Sequence, residues 1–180
     1  SRSGYQSNKT AFVRPIVGED YSIKSNMQKA LDSFVLSGAL KLYRQAKGYM
    51  PNFRHHTMLV HISSRVEEHR KHASLISKMF LAADYRSSTD YHRLAKLYET
   101  DFEPVTNARS EAAPTPHRFG DLDRFLGDAL TKILSNEGPV LMVNSEKDAQ
   151  APDFDKGSVW AIIVGGTKLS RGYTVEGLTV

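Results

Sequence analysis

The chain has no cysteine and a single tryptophan in 180 residues. Without cysteine there is no disulfide framework and no thiolate-held zinc. Long apolar runs are also missing. The longest, VWAIIV at 159–164, has six residues, against the ~20 that a membrane-spanning helix needs. The first residues, SRSGYQSNKT, hold no apolar stretch of the kind a secretory leader requires. A cytoplasmic protein with no membrane partner is the expectation. Two nucleotide signatures are absent as well: no Gly-x-x-x-x-Gly-Lys-[Ser/Thr] phosphate loop and no Asp-Glu pair closing a strand.

What is present is a soluble-type composition, with 40% hydrophobic residues and a formal net charge of +4. A length of 180 residues suits one domain with a real core. The charge is uneven. Residues 1–72 hold 12 Lys and Arg against 5 Asp and Glu, and residues 73–180 hold 12 against 15. A basic half suits a polyanion such as DNA, and it equally suits an ordinary solvated face.

Residues 1–20 read as an irregular lead-in, and one domain follows from 21 to 180. Met27, Ala30, Leu31, Phe34, Val35 and Leu40 recur at spacings of three and four, which predicts a helix over Asn26–Ala46, ended by Gly48 and Pro51. Met58–Ile62 reads as a short buried strand. Ser64 with Glu67 gives the capping-box spacing for a following helix, with Ala73, Leu75, Ile76 and Phe80 on its apolar face. A helical insertion spans about 81–137. Tyr91, Leu94, Ala95 and Tyr98 predict one helix there; a loop, 101–121, separates it from a second over Leu122–Ile133 capped by Asp121. Val140–Val143 and Val159–Val164 read as two further strands. Strands alternating with helices imply an α/β fold with a parallel sheet and crossover helices. The last residues, LTV at 178–180, read as a further strand, which makes the chain look like a fragment ending before its next motif.

The three strands end in similar chemistry. The first runs into Ser63-Ser64-Arg65, the second into Asn144-Ser145, and the third into Gly165-Gly166-Thr167-Lys168-Leu169-Ser170-Arg171-Gly172. Ligands of open α/β sheets bind outside the carboxyl ends of the strands. Hydroxyls, amides, glycine N–H groups and cations all suit phosphate oxygens. Such contacts hold a nucleic acid backbone without reading its bases. Each stretch also has a plainer reading: Ser-Ser-Arg as a helix cap, Asn-Ser as a turn. The third holds more polar residues than a turn requires.

Other patterns carry less. Asp153, Asp155 and Lys156 resemble a Pro-Asp…Asp-x-Lys nuclease site, but they share one turn-rich loop, whereas two-metal cleavage needs carboxylates on a rigid scaffold. His69 and His72 share a helix face without the His-Glu-x-x-His pattern and read as a solvated face. His55, His56 and His61 read as packing or surface residues. Ser170 lacks the Gly-x-Ser-x-Gly elbow of a hydrolase. Gly165-Gly166 lacks the dinucleotide-binding spacing. Trp160 faces a core.

VGGTKLSRGYTVEGLTV, residues 164–180, closely resembles the signature of the Z1 domain. That domain occurs in bacterial proteins often labelled endonucleases, including helicase-like subunits of NTP-dependent restriction systems. IKSNMQKALDSFVLSGALKLYR (23–44), HTMLVHISSRVEEH (56–69) and VLMVNS (140–145) agree with it. The resemblance covers about 20–180, loosely over 81–137. It implies a RecA-like fold, the second half of a superfamily 2 helicase core. Ser63, Ser64 and Arg65 then match helicase motif IV at the DNA backbone. Asn144 and Ser145 match the next backbone-contacting strand end. Thr167, Lys168, Ser170, Arg171 and Gly172 match motif V, which touches DNA and faces the nucleotide cleft. Typical motif V carries an acid where this chain has Thr174, and Glu176 follows two residues later. Gly172, Thr174 and Glu176 are thus the implied nucleotide-side residues.

The resemblance therefore implies a module of an NTP-dependent translocase. Its partners are double-stranded DNA and a first RecA-like half, with a nuclease subunit as a further partner. Its cofactor is ATP or another NTP with Mg2+ in the complete protein, and it has no catalytic residue of its own. The alternative is a non-enzymatic scaffold whose insertion docks a nuclease subunit.

Overall fold

The computed structural model describes residues 26–61, 66–108, 112–135, 137–143, 152–166 and 174–180. The first helix, α1, spans Asn26–Ala46 and lies where the periodicity predicts it. It buries Leu31, Phe34, Val35, Ala39 and Tyr43, the i, i+3, i+4 stripe of an amphipathic helix. Gly48, at φ 78°, turns the chain out of it. Strand β1 is His56–His61. It begins two residues earlier than expected because His56 is a buried core residue, 0% exposed. Ile62 lies outside the described residues, as do Ser63 and Ser64, the expected caps of the helix that follows.

Helix α2, Val66–Ala82, buries Ile76 and Phe80 against the sheet side of the core. His69 on this helix is 2% exposed. The expected solvated face is thus corrected: the imidazole is part of the packing. Helix α3, Ser88–Leu97, is capped by the Ser87 hydroxyl, which accepts from the Asp90 N–H at 3.2 Å. A π-helical turn, Tyr98–Phe102, leads directly into the short helix α4, Glu103–Asn107. The expected loop over 101–121 is therefore helical in its first part. Pro104 sits in the first turn of α4, where a missing N–H costs nothing, so it opens a helix here and does not break one.

Asp121 also acts differently from expectation. Its carboxylate accepts from the His117 and Arg118 N–H groups and caps a 3-10 turn, Phe119–Leu122. Helix α5, Asp123–Leu134, starts beyond it with no side-chain cap. Its buried residues are Leu126, Ala129, Leu130 and Ile133.

The sheet has three strands in the order β1-β3-β2, with β2 at Val140–Val143 and β3 at Trp160–Gly165. Both pairings are parallel. All the described helices between β1 and β2 lie in one connection, and helices with a parallel sheet make the fold α/β. The pleat alternates as a two-sided strand must. Met58, Val60, Trp160, Ile162 and Val164 join the main core with α1, α2 and α5. Ala161, Ile163 and Val143 turn the other way, with Phe154 and Val159. Residues 177–180 add to the free side of β1. Thr57 N–H donates to Gly177 O, Thr179 N–H to Thr57 O, and Leu59 N–H to Val180 O. The bridge between Thr57 and Leu178 is parallel. LTV, expected as a further strand, thus forms one isolated bridge and backbone hydrogen bonds to β1.

The sheet side of α1 has a tight point at Gly38. A Cβ there would lie 3.0 Å from His56 Nε2 and 3.1 Å from the Trp160 ring. Alanine improves helix propensity by about 1 kcal/mol, but forcing apart two packed rings costs about 1–3 kcal/mol. Gly38→Ala is therefore expected to destabilise the fold, read as a lower urea midpoint with an unchanged slope.

Candidate nucleic-acid interface

The register fixes where the three polar stretches leave the sheet. His61 pairs with Gly165, and Gly165 pairs with Val143. The last residues of β1, β3 and β2 therefore stand side by side at one level. Neighbouring strands lie about 4.8 Å apart, so the three ends span about 10 Å. Val143, Gly165 and Gly166 are buried, and His61 is exposed. This edge is the carboxyl end of a parallel sheet, where α/β proteins place ligands.

Ser63, Ser64, Arg65, Asn144, Ser145, Thr167, Lys168, Ser170, Arg171 and Gly172 all lie outside the described residues. The described strands bring the starts of their segments to one edge. Thr174 and Glu176 are described, and both are exposed. The structure does not bring Glu176 to that edge. Thr57, the second residue of β1, donates its hydroxyl to the Glu176 carbonyl at 2.8 Å. Glu176 Oε2 lies 3.4 Å from His55 Nε2, just before β1 begins. Glu176 therefore stands at the amino end, about 17 Å of strand away from the carboxyl edge.

Gly177 is what allows this placement. Its φ is 69°, and a Cβ would fall 2.5 Å from the His55 carbonyl. Only glycine satisfies both demands. The Glu-Gly-Leu of the signature thus has a structural cause: the chain must turn tightly against His55 before pairing with β1.

The amino end has residues that the sequence reading gave no role. Lys41, on α1, donates to Thr179 Oγ1 at 2.7 Å and lies 5.7 Å from the Phe53 ring centroid. Burial lowers its pKa to about 8. His56 stacks on Phe34, with centroids 4.3 Å apart and planes 3° from parallel. Its Nε2–H donates to the Phe34 carbonyl at 2.8 Å, and Nδ1 lies 3.2 Å from Thr179 Oγ1. Burial first, and the Lys41 charge second, depress the His56 pKa to about 3. The ring is neutral. The only sequence signal for this cluster was a His-His pair directly before a strand, and polar pairs there are common.

Among the described residues, no three His, Asp or Glu side chains converge as a metal site would require. No described helix is long and apolar enough to cross a membrane. Asp153 and Lys156 form a surface ion pair at 3.1 Å.

The fold defines an α/β domain with a parallel sheet and a clustered carboxyl edge. The family model for the Z1 domain matches residues 26–180, and the chain belongs to that family. No curated protein and no solved structure matches it.

The pH dependence of the fold follows from His56. An unfolded chain protonates this histidine near its ordinary value of 6.5, and the folded chain does so only near 3. The stabilising contribution is whole above pH 6.5 and is lost as pH falls toward 3. The slope is at most about 1.4 kcal/mol per pH unit for one proton. His56→Gln should be less stable at pH 7 yet lose stability less steeply between pH 6.5 and 4, measured by urea unfolding at each pH.

Proposed function

We propose that this Z1 domain is the second RecA-like half of a helicase-like, NTP-dependent DNA translocase of the restriction type. In this reading its carboxyl edge grips the phosphate backbone of duplex DNA. The observation that carries it is the shared level of His61, Gly165 and Val143, from which Ser63-Ser64-Arg65, Thr167–Arg171 and Asn144-Ser145 follow in sequence. Three contacts over about 10 Å match about three nucleotides of one strand, at 3.4 Å of axial rise each. Hydroxyls, amides and cations suit a phosphate grip, and no aromatic in these stretches offers a base-stacking surface.

Glu176 stands at the amino end of β1, and the reading assigns the phosphate loop and Mg2+ to a partner half. What this chain supplies is the track for DNA, which couples to NTP turnover when the two halves close. A docking role for the insertion has less support, because Tyr85, Leu94, Leu97, Tyr98 and Phe119 are core residues. Removing 85–120 would unfold the domain and would not test docking.

Arg65→Ala, Lys168→Ala and Arg171→Ala in the complete protein should each weaken DNA stimulation of NTP hydrolysis. Basal hydrolysis should hold. Each should also flatten the salt dependence of DNA binding by about one unit of slope. Unchanged stimulation and salt slope in the triple variant would refute the proposal.

A further inference from the structure

A cavity of about 490 Å3 opens at the amino end of β1, lined by residues of three segments: Lys41 of α1, Phe53, Arg54 and His55 before β1, and Glu176 and Thr179 of the last segment. Its volume falls in the range of small-ligand sites. Two cations face it. Lys41 Nζ reaches only neutral acceptors: Thr179 Oγ1 at 2.7 Å, Gly177 O at 3.3 Å and His55 O at 3.5 Å. Arg54 donates to the Asp155 carbonyl. Neither has a carboxylate partner among the described residues.

His55 supplies a third donor. The Val159 N–H donates to its Nδ1 at 3.3 Å, so Nδ1 is the acceptor and the proton resides on Nε2. The His55 side chain is 6% exposed. Nε2 lies 3.4 Å from Glu176 Oε2 but outside hydrogen-bond geometry, and has no other partner. A buried donor left in this state costs about 1–3 kcal/mol. Glu176, half exposed, covers the donor without satisfying it.

We propose that this cavity binds a small oxyanion of the phosphate class, held by Lys41, Arg54 and the His55 Nε2 proton, and that the Glu176 carboxylate is the internal group it displaces. A tetrahedral oxyanion offers several acceptors at once, where the Glu176 carboxylate misses its one donor. Charge-assisted bonds to the two cations are the strong kind. The depressed Lys41 pKa fits the same picture, because a neighbouring anion offsets the burial that lowers it. Glu176 swings outward on exchange, its half-exposed side chain moving from protein to solvent. This site is independent of the DNA reading, since it sits at the opposite end of the sheet.

The test is a titration of the full chain with inorganic phosphate at constant ionic strength, followed by the His55 ring signals in NMR. A saturable shift with a Kd on the order of 1 mM is expected. Glycerol 3-phosphate forms the second arm: saturation by both identifies a monoester as an accepted ligand, and saturation by phosphate alone assigns the free ion. Lys41→Met and Arg54→Ala should each weaken binding about tenfold. Glu176→Gln should tighten it several-fold, a direction that mere loss of structure would not produce. Absence of a saturable shift with either probe overturns the proposal. So does weaker binding in Glu176→Gln, or unchanged binding in both cation variants.

Discussion

A fully buried, neutral imidazole sets the geometry of the described sheet. His56 touches the helix layer through the Phe34 ring and carbonyl, the central strand through Trp160, and the last segment through Thr179. Its position requires that α1 come unusually close, which Gly38 permits. A charged ring in this place would be desolvated beside Lys41, so the ring stays neutral and donates from Nε2. Phenylalanine would fill the space but could not join helix, strand and tail through polar contacts. The buried histidine thereby serves as a packing residue with direction.

With the layers fixed, the parallel sheet divides the chemistry between its two ends. At the carboxyl end, the strands stop at one level and hand the chain to three polar stretches. At the amino end, Gly177 draws the final segment against His55 and brings Glu176 beside it. For the proposed DNA contact, a carboxylate near the first edge would be repulsive. Holding Glu176 about 17 Å away keeps that edge free of this charge, well beyond the Debye length of about 8 Å in physiological salt.

The sequence showed the elements whose signal is local. The period of α1 and the apolar run of β2 mark their own bounds, and both agree with the structure. Parallel pairing also followed, because helices between strands leave little choice. Strand order and the level of the strand ends did not follow, since pairing partners far apart in sequence leave no local trace. His69 misled for a related reason, while His56, read as a packing or surface residue, is packing. A histidine reads as polar until its partners are known, and those of His56 come from residues 34, 160 and 179. Asp121 preceded the last helix at capping distance, yet its acceptors were claimed by a tighter turn. The place of Glu176 in the sheet was not legible in the sequence. The resemblance gave Glu176 a nucleotide-side role, and the tight turn at Gly177 ties it to the start of β1.

The insertion shows why length alone does not define an appendage. Helix α1 packs against β1 and against α3 and α5, so it is a middle layer with apolar contacts on both sides. A helix with apolar residues packed on two sides needs a second cover, and the insertion provides it. Its attachment is specific as well as apolar. Asp32, 1% exposed on α1, is gripped by the Arg93 fork of α3 at 2.7 and 3.1 Å, and Asp90 holds the same guanidinium. A buried carboxylate without that fork would be far more costly than the pair is favourable. The ion pair therefore acts chiefly as a condition on docking: α3 settles on α1 in the one position that compensates Asp32. Partner contacts made by this segment must come from its outer surface, because its inner surface already completes the core.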